Sequence, residues 1–145
     1  MSSTAFARPA KRRTETVFIC VLSILTETSK RTRLLTVKSK IAPLKSQTIP
    51  RLELSGVLLL ASLTATIQQA LPVKINRTDY WTDSTIVLHC LNSSPHALKT
   101  FVANCVAEIQ NKTSFIDWRH VPTNDNPANL ISRGQSPEDF LQPNI

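Results

Sequence analysis

Several residue types are scarce in this chain, and each scarcity excludes something. Only two glycines occur in 145 residues, which rules out collagen-like and glycine-rich low-complexity architectures. Cys20, Cys90 and Cys105 are odd in number and lack the paired short spacings of a zinc site. They predict reduced, buried thiols of an intracellular protein, cytoplasmic or nuclear, rather than a disulfide scaffold. Acids are nearly missing from the first third: only Glu15 and Glu27 precede Leu52, and no Asp precedes Asp79. The apolar tract Val57 to Leu63 falls short of the roughly 20 residues that span a bilayer, so no membrane anchor is expected. The run "VFICVLSIL" after Lys11 to Arg13 imitates a signal peptide but has no small-residue cleavage site.

Basic residues are abundant. The net charge is +7, and its excess falls before Leu52, where Arg8, Lys11, Arg12, Arg13, Lys30, Arg31, Arg33, Lys38, Lys40, Lys45 and Arg51 stand. This asymmetry suits a polyanionic partner, because each neutralised phosphate releases counterions and adds affinity without sequence preference. A solvated basic tail accounts equally well for Arg8 to Arg13 taken alone. The length fits one domain, predicted as an irregular basic lead-in over 1–16, a folded domain over 17–137 and a tail over 138–145.

Hydrophobic period and breakers predict the elements. Val17 to Leu25 and Arg33 to Lys40 are expected as strands, joined through the polar "TETSKR". Arg51 to Ala70 is apolar around nearly the whole helical circumference and predicts a long, largely buried helix that Pro72 ends. A strand over Val73 to Thr82, a short helix over Thr85 to Leu91, a longer one over His96 to Gln110 and a strand over Ser114 to Val121 follow. Asn126, Pro127 and Gly134 are the cap, first-turn residue and stop of a short terminal helix. Strands alternating with helices in this order predict an α/β layer fold.

Three positions carry the chemistry: Glu53 in the expected first turn of the long helix, Asp83 at the end of a strand, and Asn129 in the first turn of the terminal helix. Asp83 reads two ways, as a metal ligand or as a plain helix cap ahead of Ser84 and Thr85. Glu53 at a helix start would also favour the helix dipole. His120 is either an aid to water and product movement or a hydrogen-bonded surface residue. Trp81 and Trp118 are expected in the core.

The motifs "RLEL", "WTDS" and "WRHVPTNDNPANLISRG", in that order and preceded by "LLTVKSKIAPLKSQTIPRLEL", resemble the ribonuclease H domain in polyproteins of BEL/Pao-type retrotransposons over about Leu34 to Pro137. The resemblance implies a ribonuclease H-like fold with a central mixed sheet flanked by helices. It further implies RNA strands of RNA/DNA hybrids as substrate, Mg2+ or Mn2+ as cofactor, and other retroelement polyprotein segments as possible partners. Such hydrolysis uses two ions about 3.5 to 4 Å apart, which repel by roughly 16 kcal/mol at an effective dielectric of about 20. The family holds them with four carboxylates: an Asp on the first strand, the Glu of "LEL", the Asp of "TDS" and the Asp of "NPAD". Here Glu53 and Asp83 match, Asn129 stands at the fourth position, and the first has no counterpart in "KRRTETVFICVLSILTETSK".

The catalytic positions implied are therefore Glu53, Asp83 and the degenerate Asn129, with Glu53 and Asp83 as metal ligands. Lys38, Lys40, Lys45, Arg51, Arg119 and Arg133 are candidates for hybrid phosphates, read by duplex shape rather than base identity. A degenerate domain with weak or lost activity is the leading expectation. A non-catalytic nucleic-acid-binding module, and an active nuclease whose first strand is missing through truncation or a misread frame, are the alternatives.

Overall fold

The computed structural model describes residues 2–7, 21–26, 29–36, 38, 47–72 and 74–126. Among these residues five strands form one sheet: β1 (Ser2–Ala7), β2 (Val21–Thr26), β3 (Ser29–Thr36), β4 (Arg77–Thr82) and β5 (Trp118–His120). Among the described residues, three α-helices accompany them: α1 (Ile49–Ala70), α2 (Thr85–Leu91) and α3 (Thr100–Lys112). The spatial order is β3-β2-β1-β4-β5. β1, β2 and β3 pair antiparallel, whereas β4 runs parallel to β1 and β5 parallel to β4. A mixed sheet of this kind, with helices packed on it, is the α/β architecture the sequence predicts.

The largest departure lies at the start. Residues expected as an irregular lead-in hold β1, and this strand occupies the centre of the sheet, with Ser2 to Ala7 in register with Arg77 to Thr82. Its short run of Ser, Thr, Ala and Phe carries little signal alone; partners on both sides satisfy its backbone and make it a strand. The strand expected from Val17 begins at Val21, and Val17 to Cys20 lie outside the described residues. The next, expected over Arg33 to Lys40, begins at Ser29, which pairs with Thr26 of β2. The hairpin thus consumes much of the supposed linker.

α1 begins at Ile49 with Pro50 in its first turn, where a missing N–H costs nothing. Its buried residues, Leu54, Gly56, Val57, Leu60, Ala61 and Thr64, recur at three- and four-residue steps and form one stripe. Burial is therefore confined to a face, with Leu58, Leu59, Leu63 and Ile67 half-buried beside it. By length and composition α1 could cross a bilayer, but in this fold its stripe is the core wall that Tyr80, Val87, Leu91, Cys105, Val106, Ile109 and Trp118 complete. Tyr80 and Trp118, paired across β4 and β5, stack with centroids 4.6 Å apart. The indole N–H of Trp118 donates to Thr113 Oγ1 at 2.9 Å.

The expected strand over Val73 to Thr82 is shortened to Arg77–Thr82. The expected helix from His96 begins at Thr100, preceded by a 3-10 turn at Pro95–Ala97. The last strand is cut to Trp118–His120 by a similar turn at Phe115–Asp117. Asn126 is buried and extended after a third turn, Thr123–Asp125. The helix expected beyond it, with Asn129 and Arg133, lies outside the described residues, as do Lys40 and Lys45.

Candidate active site

The C-terminal end of β4 is fixed from several directions. Thr82, 2% exposed, accepts the Val121 N–H on its carbonyl at 3.0 Å, and its hydroxyl oxygen accepts the Ser84 N–H at 3.2 Å. Ser84 has extended backbone angles, and its Oγ accepts the Val87 N–H at 3.2 Å. The cap of α2 is therefore Ser84, and the capping role considered for Asp83 is corrected. A cap needs its oxygen within reach of the third residue beyond it, which here Ser84 provides. Asp83 is half-buried between two residues whose backbones are tied down.

Glu53 reaches the same place from α1. It is the fifth residue of a helix that starts at Ile49, so it lies beyond the first turn, which contains no acid. The dipole role is thereby removed, since that field fades within one turn. Instead the Ser84 hydroxyl donates to Glu53 Oε2 at 2.6 Å, a length typical of a hydroxyl on a carboxylate. One hydroxyl thus joins a helix and a strand end 31 residues apart in sequence. Ser84 is not among the candidate site residues read from the sequence, although the third letter of "TDS" is the available signal.

The other described candidates stand before α1, on α1 and on β5. Lys38 and Arg51 are exposed; the Arg51 guanidinium sits 5.0 Å from the Phe101 ring centroid, a cation–π contact. Arg119 is engaged by Asp79 at 3.3 Å, and Arg77 by the same carboxylate oxygen at 2.8 Å. Asp79 lies four residues before Asp83, roughly 13 Å back along an extended strand. Arg119 therefore belongs to an ion-pair group on the sheet and not to the Glu53 and Asp83 corner. His120 pairs in register with Thr82 and is exposed, which sets it beside the strand end.

Cavities border these elements among the described residues. A groove of about 440 Å³ runs past the starts of α1 and α3, with Arg51 and Lys99 as its charged walls over Leu54, Ile86 and Val102. The larger, about 610 Å³, opens at the opposite end of β4 among Gln68, Asn76, Arg77, Gln110 and Lys112, and none of the described candidate residues lines it.

Two carboxylates are hard oxygen donors, suited to Mg2+ or Mn2+. Among the described residues no group of three or more His, Cys, Asp or Glu could hold a metal ion. β1, which ends with Ala7 opposite Thr82, reads SSTAFA and contributes no acid. Among the described residues, Glu53 and Asp83 offer two such carboxylates, a pair that would serve a single ion.

Comparison with known proteins agrees with this architecture. Residues 13–84 match the family model described as Pao retrotransposon-like RNaseH-like domain, a segment that runs from before β2 through Glu53 and Asp83 to Ser84. No curated protein matches the chain. Among solved structures, the crystal structure of RNase H1 from the halophilic archaeon Halobacterium salinarum NRC-1 is similar in fold, with a TM-score of 0.58 and 13% identity, over 88% of this chain and 93% of that one. The family match runs over β2, β3, α1 and β4, just under half of the chain, and the likeness to the solved structure shows a ribonuclease H-like fold.

Proposed function

We propose that the chain is a degenerate ribonuclease H-like domain derived from a retrotransposon polyprotein. Its ancestral reaction is the metal-dependent hydrolysis of RNA in RNA/DNA hybrids, retained weakly at most. The observation that carries this reading is the meeting of Glu53 with the Asp83 corner through Ser84, beside a β1 that brings no carboxylate. Glu53 and Asp83 would hold a divalent ion, and Asn129 would offer an uncharged amide oxygen. A bound ion would polarise the phosphate and lower the pKa of a water. The protein's own part is to set the two carboxylates and to track the hybrid backbone with exposed cations such as Lys38 and Arg51.

The test is cleavage of a labelled RNA/DNA hybrid in Mg2+ and in Mn2+, alongside binding of the same hybrid at several salt concentrations. Faint Mn2+-dependent cutting that Asp83→Asn abolishes, with binding that falls steeply with salt, supports the reading. Vigorous turnover in Mg2+ would show that the site is not degenerate. Salt-sensitive binding without any cutting would make the chain a binding module, and no binding at all would remove nucleic acid as its partner.

A further inference from the structure

We propose that Ser84 is a positioning residue for the cation site, fixing the Glu53 carboxylate and the Asp83 backbone in one frame; the inference rests on the reading of Glu53 and Asp83 as metal ligands. A serine hydroxyl has one proton and two acceptor positions. The Val87 N–H takes an acceptor position at 3.2 Å, and the proton is given to Glu53 Oε2 at 2.6 Å. The backbone of Ser84 is held as well: its N–H donates to Thr82 Oγ1 at 3.2 Å, and its carbonyl accepts the Leu88 N–H at 3.2 Å. Four bonds leave the residue no freedom to swing.

Ser84 is only 6% exposed, so water competes poorly for its proton. A capping role accounts for the bond from Val87 and for nothing on the Glu53 side. Glutamate loses on the order of 1.5 to 2 kcal/mol of rotamer freedom when immobilised, and a ligand already held does not incur that loss on metal binding. Groups that hydrogen-bond to metal-ligating carboxylates act in this way. Asp83 follows passively, because its two neighbours in sequence are the residues so restrained.

The experiment compares the full chain with Ser84→Gly, Ser84→Thr, Glu53→Gln and Asp83→Asn, using Mn2+ alone as the probe. Glycine is nearly as good a cap as serine, so Ser84→Gly keeps the helix start while removing the donor to Glu53. The expected result is Mn2+ binding weakened about tenfold or more in Ser84→Gly, with thermal stability close to wild type. Ser84→Thr, which keeps the hydroxyl, restores affinity to within about threefold. In the metal-free chain, NMR relaxation of the Glu53 side chain shows a rigid carboxylate in the wild type and Ser84→Thr, and a mobile one in Ser84→Gly.

Loss of Mn2+ binding in Glu53→Gln and Asp83→Asn together with full binding in Ser84→Gly overturns the role of Ser84 and leaves the cation site standing. Equal Mn2+ binding by wild type, Glu53→Gln and Asp83→Asn overturns the cation site and, with it, any part for Ser84 in metal binding. An equally rigid Glu53 side chain in Ser84→Gly refutes the positioning whatever the metal does.

Discussion

β1 and β4 are neighbours that run in the same direction, Ser2 opposite Arg77 and Ala7 opposite Thr82, yet they contribute unequally to the site. β4 delivers Asp83 immediately past its last residue, held by Thr82 and Ser84. β1 ends in the adjacent position with an alanine. The sheet does not register this difference, because a parallel pair needs only regular backbone partners and side chains that tolerate a pleated surface. An acid just past a strand end, as Asp83 is, sits where packing demands least. Such an acid can be absent while the topology persists, which is how a ribonuclease H-like sheet would coexist with the incomplete donor set proposed above.

The comparison is tested most severely by giving β1 what β4 has. Ala7→Asp should place a third carboxylate beside the Asp83 corner, and ligand charge is a main determinant of divalent-ion affinity. Mn2+ binding is expected to tighten by about ten- to a hundredfold, with hybrid cleavage rising in parallel. Calorimetric titration measures the first and a labelled-hybrid assay the second. An unchanged affinity would mean that the end of β1 does not face the same pocket.

Next in size is the separation of Asp83 from Ser84. Asp83→Asn removes a charge from a residue that does not cap α2, so Mn2+ affinity should fall roughly tenfold while the Ser84 cap, and the stability it carries, stays in place. Ser84→Ala should cost about 1 kcal/mol, the usual loss for a missing cap. Denaturant unfolding of the two variants distinguishes them. A large stability loss in Asp83→Asn would restore that residue's structural role.

How far these features could be read from the sequence depended on how local their causes were. α1, α2 and α3 follow from apolar spacing and breakers such as Pro50 and Pro72, and β4 from "RTDYWT" before a capping residue. Their identities were legible and their ends less so, because Asp83 and Ser84 are both good caps and only the hydrogen bond to Val87 separates them. β1 was illegible because SSTAFA has no alternation of its own; its strand character comes from Val21 to Leu25 on one side and Arg77 to Thr82 on the other. The contact between Ser84 and Glu53 spans 31 residues, and no local pattern encodes it. Asn129 stood out only by resemblance, and its place lies outside the described residues.

A pH experiment examines whether the β4 side of the sheet is packed as described. Burial pushes the Tyr80 hydroxyl up to about 12 from its ordinary 10.0, with a hydrogen bond to Thr64 opposing the shift and the charge of Asp117 adding to it. The folded state thus holds this proton more tightly than the unfolded chain. The associated stability is complete below about pH 10 and is lost as pH rises towards 12, because the unfolded state ionises first. Tyr80 is the one tyrosine in the chain, so tyrosinate absorbance reports it directly, and its native midpoint is expected near the upper value. A midpoint near 10 would show that water reaches the ring and that α1 does not seal this face of β4.

The smallest effect is expected where β4 meets β5 on the other face. Asp79 accepts from both Arg77 and Arg119, and all three side chains are partly or largely open to solvent, where such pairs contribute about 0 to 1 kcal/mol. Arg119→Ala should therefore change stability by less than about 0.5 kcal/mol. It should also weaken hybrid binding less than Arg51→Ala does, because the Arg119 guanidinium already shares a carboxylate. Asp79→Asn sharpens the point by releasing two guanidinium groups at once. If Arg119 has been held away from phosphate by Asp79, that variant binds the hybrid more tightly and its affinity depends more steeply on salt. Should the slope stay the same, the pairing at Asp79 is not what keeps Arg119 from the nucleic acid, and the distance of β5 from the duplex is the remaining cause.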